Sequence, residues 1–179
     1  MNIAIVNFAR TVLPVYGDEM LGFQKMTSAV YRQARMSEGL VGVARPLDQN
    51  EHLSFYEREW GPWGDFTLPH YYKGGIDFDT IAQASALSVW RRITDLHNFV
   101  YKGVHLRSIR RKDHWFEVMD EPGYALWWTE APNVTWKDGA KRLEHLLENG
   151  PTHYAFTFRA LFEPDGNRLT LSACLERGM

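Results

Sequence analysis

The chain has 179 residues, 45% of them apolar, and a formal net charge of −2 from 20 basic and 22 acidic side chains. That length and apolar share fit one domain with its own core, and the balanced charge gives no electrostatic footprint for nucleic acid or an anionic membrane. Cys174 is the one cysteine, so no intrachain disulfide can form and a reducing, cytoplasmic location is expected.

The opening residues, Met1 to Val6, lack the basic start and long apolar run of a signal peptide. No window approaches the roughly 18 unbroken apolar residues of a membrane-spanning helix. Ile3 to Phe8 is a β-type run closed by Pro14 and Gly17. From Asp18 the period lengthens: Met20, Phe23, Met26/Thr27, Val30, Tyr31 and Ala34 form an amphipathic stripe, with Gly39 as its stop. Leu40 to Ala44 predicts a second strand ended by Pro46. The stretch 52–80 has no clean period and carries several aromatic rings, which predicts a functional flap inside one domain spanning 1–179.

Ile81 to Trp90 is the third predicted strand. Thr94 suits the N-cap of the next helix, which Gly103 interrupts and which resumes through His105, Ile109, Phe116 and Met119 until Glu121-Pro122-Gly123. The basic run Arg110-Arg111-Lys112 reads as a solvated helix face. Tyr124 to Thr129 is an apolar strand. Thr135 and Asp138 then form a capping-box pattern ahead of a helix that Gly150-Pro151 stops. Ala155 to Phe162 and Leu169 to Leu175 read as strands around a Pro164-Asp165-Gly166 turn. The order β-α-β-(flap)-β-α-β is that of an α+β, ferredoxin-like split βαβ fold, an antiparallel sheet with helices on one face. Its bare second face predicts pairing with a second copy into a dimeric α+β barrel.

Several segments also resemble a family of bacterial proteins, the domain of unknown function family 3291. They are Ala4 to Arg10, Leu87-Ser88-Val89-Trp90, Phe99-Val100-Tyr101 with His105, Trp115-Phe116, Leu126-Trp127-Trp128 and Ala155 to Arg159. The resemblance covers most of the chain except the flap. Gly42-Val43 stand near the place where the family carries Trp-Arg, so one pocket wall differs. Membership would imply the dimeric α+β-barrel superfamily, which includes antibiotic-biosynthesis monooxygenases, haem enzymes, isomerases and plain binders; such a fold does not choose among these activities.

His105 falls on the inward stripe of its helix, where an imidazole can serve as general acid/base or instead be a core histidine satisfied by a neighbour. Asn7 and Arg10, in or after the first strand, are candidates to hold an oxyanion or to make structural hydrogen bonds. Trp60, Trp63, His70 and Tyr72 of the flap, with Trp90, Tyr101 and Trp127, are the aromatic set expected to shape a cavity or to pack a core. Adjacent Trp127 and Trp128 must point to opposite faces. There is no His-Glu-x-x-His, P-loop, Gly-x-Gly-x-x-Gly or Gly-x-Ser-x-Gly signature, and no metal site is expected. The expected function is an enzyme acting on a hydrophobic aromatic or polyketide-like molecule, by monooxygenase-type oxidation or proton-transfer cyclisation or isomerisation. A non-catalytic ligand-binding dimer is the alternative. No cofactor is expected, haem on a lone histidine being the minority case.

Overall fold

Ile3-Ala4-Ile5-Val6 is an unbroken apolar run followed by Phe8, the composition of a strand covered on both faces, and it makes β1 a central strand of Asn2–Arg10. The computed structural model describes residues 1–130 and 134–179. After β1 come α1 (Leu21–Met36), β2 (Leu40–Val43), β3 (Gln83–Trp90), α2 (Ile93–Val100) and α3 (Gly103–Ile109). β4 (Tyr124–Thr129), α4 (Trp136–Asn149), β5 (Leu161–Phe162), β6 (Arg168–Leu169) and α5 (Leu171–Arg177) complete the chain. The main sheet is antiparallel in the order β2-β3-β1-β4, with β3 inserted between β1 and β2 as the split βαβ pattern requires. Among the described residues no helix is long and apolar enough to cross a membrane.

Register sorts the side chains. Ala4, Val89 and Trp127 share one face with Val6, Leu87 and Ala125, whereas Ile3, Trp90 and Trp128 share the other. The second set packs with Leu96, Val100 and Phe156 into a core beneath α2 and the C-terminal segment. The first set is equally buried, but by the chain itself: Trp60, Phe66 and Tyr71 of the flap and Trp136, Leu143 and Leu146 of α4 lie over it. The expectation of a bare face is thereby corrected. A partner's sheet has no exposed surface to bury there, because the flap and α4 already exclude water from it.

α4 starts as its sequence predicts. Thr135 Oγ1 accepts from the Asp138 N–H at 3.1 Å and Asp138 Oδ2 accepts from the Thr135 N–H at 3.0 Å. Gly139 lets this helix approach β1 closely, since a Cβ there would lie 2.9 Å from Val6 Cγ2. Of the strand expected over Ala155 to Phe162 only Leu161–Phe162 forms, with an isolated bridge from Phe156 to Leu126, and three further expectations fail locally. Thr94 is inside α2, not its cap, and its hydroxyl donates to the Met179 carbonyl at 2.6 Å. The helix through His105 stops at Ile109, and Phe116 instead forms a β-bridge with Thr11. Leu171–Arg177 is a helix because Thr170 caps it, accepting from the Ala173 N–H at 3.2 Å. A short apolar run fits either period, and the cap decides between them.

Candidate functional site

β2 ends early, and that opens the site. The Ala44 N–H donates to the Leu87 carbonyl at 2.8 Å, the last rung. Pro46 follows without an N–H, and the chain turns away into the flap. The outer edge of β3 near Ala84 and Ser85 therefore borders a cleft of about 400 Å³ between α1 and the flap. Phe23, Thr27 and Tyr31, spaced four apart on α1, form one wall with Arg32 and Arg35. Phe55, Trp60 and Phe66 of the flap form the aromatic side, and Arg45 and Arg58 complete the rim.

Asp48 fastens the flap beside this cleft. Its carboxylate meets Arg58 at 3.1 Å and accepts from the Glu59 N–H at 3.0 Å. Desolvation pushes the Asp48 carboxyl up, but the hydrogen bonds from Arg58 and the Glu59 and Asn50 N–H groups outweigh it and hold the group below its ordinary value. Trp60 donates Nε1–H to the Phe55 carbonyl at 2.9 Å and stacks on Phe66 with ring centres 5.6 Å apart. Burial pushes the Tyr31 phenol up to about 12, so it stays protonated at neutral pH, and Arg45 lies over its ring at 5.6 Å. Ser85, on the cleft wall, donates to Gln83 Oε1 at 2.7 Å. The fully buried Gln83 Nε2 behind it has no hydrogen-bond partner among the described residues.

The residues singled out from sequence are dispersed, and only Trp60 of that set lines the cleft. His105 sits at the start of α3, its backbone N–H donating to Gln33 Oε1 at 3.1 Å and its ring 4.8 Å from that of Phe99. Its Nδ1 lies 3.0 Å from the Val100 carbonyl, which can only accept, so the neutral ring carries its proton there. Asn7 is exposed on the Ile3–Trp128 face beside Ala86 and Tyr124. Arg10 is paired with Glu117 at 2.9 Å and Glu121 at 3.2 Å. The three groups are thus not assembled into one acid–base and oxyanion constellation.

The remaining aromatics have separate partners. Trp63 packs where Gly42 leaves room on β2: a Cβ there would lie 3.3 Å from the indole. His70 meets Glu144 of α4 at 3.2 Å, and the Tyr72 hydroxyl donates to the Gly75 carbonyl at 2.7 Å, closing the flap's own turn. Trp90 is buried and donates to Ser88 Oγ at 2.9 Å, whereas Tyr101 is exposed beside His97. Trp127 lies under Arg142, 5.5 Å from its guanidinium. Among the described residues no group of His, Cys, Asp and Glu could hold a metal ion.

Sequence reasoning missed the arginines and Tyr31 because they come from a helix, a strand exit and the flap, separated in the chain. The one available signal was the four-residue step of Phe23, Thr27 and Tyr31, which puts polar groups into an otherwise apolar stripe. The domain of unknown function family DUF3291 matches residues 2–172, and the chain belongs to that family. No curated protein and no solved structure matches it.

Proposed function

We propose that this protein binds a small molecule with an aromatic or otherwise apolar body in the cleft between α1 and the flap. One observation carries the reading: an aromatic-lined cleft of about 400 Å³, a size within the usual range of ligand sites, on a sheet edge that early termination of β2 leaves open.

Binding without turnover is favoured over monooxygenase or cyclase chemistry, because His105, Asn7 and Arg10 stand apart and none lines the cleft. The second reading, proton transfer at His105, draws on its Nδ1–H donation to Val100, which leaves the Nε2 lone pair for a substrate proton or haem iron. Homodimerisation loses the support of a bare sheet face and forms no part of the proposal.

The test is a fluorescence titration with the neutral, apolar dye N-phenyl-1-naphthylamine. Saturable binding is expected, weakened at least about tenfold when Thr27→Phe fills the cleft while far-ultraviolet circular dichroism is unchanged. Equal binding by both proteins would place the dye elsewhere and defeat the reading.

A further inference from the structure

We infer that the ligand of this cleft is an organic anion, an apolar body carrying one oxyanion head such as a carboxylate or sulfonate. The inference rests on the cleft being the ligand site and specifies what that site selects. Four arginines line it, and no aspartate or glutamate does. That composition runs against the chain as a whole, in which acidic residues outnumber basic ones by 22 to 20. Arg58 is neutralised by Asp48. Among the described residues Arg32, Arg35 and Arg45 have no carboxylate within ion-pair distance. Three unneutralised guanidinium groups beside one cavity repel each other and raise the local potential, which an anion relieves.

Guanidinium is suited to an oxyanion because its planar N–H fork matches two oxygens at once. The Tyr31 hydroxyl, which has no hydrogen-bond partner among the described residues, adds a neutral donor on the same wall. The opposite wall is of another kind: Phe55, Trp60 and Phe66 offer rings and no charge. A bare inorganic anion would leave that wall unused, and a neutral hydrocarbon would leave the arginines uncompensated. The division of the cleft into a cationic rim and an aromatic side therefore selects a molecule with both parts.

The test compares two dyes that share one anilinonaphthalene body, anionic 1-anilinonaphthalene-8-sulfonate and neutral N-phenyl-1-naphthylamine, on the intact protein. The anion is expected to bind about tenfold tighter, with an affinity that falls as salt rises. In the Arg32→Met, Arg35→Met, Arg45→Met triple variant, whose substitutions lie at exposed positions, the anion's advantage over the neutral dye should vanish while far-ultraviolet circular dichroism is unchanged. Equal affinity of the two dyes for the unmodified protein would overturn the anion inference and leave the cleft reading standing. An advantage that survives the triple variant would likewise overturn it. Binding of neither dye would overturn both.

Discussion

The indole of Trp60 stands edge-on to that of Trp136, with ring centres 4.9 Å apart, and this contact joins the flap to α4 over one face of the sheet. Phe66 meets the same Trp136 ring at 4.8 Å. The Trp136 N–H has no conventional acceptor among the described residues, and the neighbouring ring faces are the environment in which a weak N–H···π contact can form. The flap is therefore a packed layer of the domain.

Removing one of these rings should be costly. Trp60→Ala deletes a buried indole and its hydrogen bond to Phe55, and a loss of about 3–5 kcal/mol is expected. Urea unfolding reads the loss, and limited proteolysis should find new cleavage between residues 47 and 80. A variant with unchanged midpoint and unchanged protease resistance would show that the flap is not held by this contact.

Close packing of α4 on β1 can be tested from the other side. Gly139→Ala would ordinarily favour a helix by about 1 kcal/mol. Here the new methyl meets Val6 Cγ2 at 2.9 Å, so a net destabilisation on the order of 1–3 kcal/mol is expected. Val6→Ala removes the obstructing methyls, and the double variant should be more stable than the two single losses predict. Simple additivity in a double-mutant cycle would mean that the two residues do not touch.

Acid should weaken the fold through its half-buried histidines. Burial holds the His105 imidazole below its ordinary 6.5, only partly offset by the Val100 hydrogen bond, and burial with Lys102 does the same to His97. A base whose folded pKa is lowered takes up its proton more readily in the unfolded chain. Its contribution is thus fully present above the unfolded value and is lost as pH falls through the folded one. The urea midpoint should decline from about pH 7 to pH 5, and His105→Asn should flatten that decline. Identical slopes in the two proteins would remove His105 from the account.

Much of the sheet was legible because it depends on short-range period. The short apolar run in Ile3 to Phe8, the stripe from Met20 to Ala34 and the Thr135–Asp138 pair each declare an element locally. Alternation also separates Asn7 from Arg10, since strand residues three apart face opposite ways, and it separates Trp127 from Trp128. What covers the second sheet face was not legible. Trp60, Phe66 and Tyr71 reach Trp136 and Phe8 across long sequence separations, and no period in the flap announces those partners. The cleft was hidden for the same reason: its walls meet only because β2 stops at Val43.

The cleft's chemistry makes a last prediction about Tyr31. Its phenol, pushed up to about 12 by burial, keeps its proton through the neutral range, and arginine stays charged there. The rim therefore has no group that changes charge between about pH 6 and 9, and anionic-dye affinity should be flat across that interval. Tyr31→Phe removes one uncharged donor without altering the ring, so the expected loss is about 0.5–1.5 kcal/mol, or roughly twofold to twelvefold in Kd. The loss should be as large at pH 6 as at pH 9. A Tyr31→Phe effect that grows or fades with pH would mean that the phenol ionises in the bound state, and an affinity that itself titrates would bring a histidine into the site.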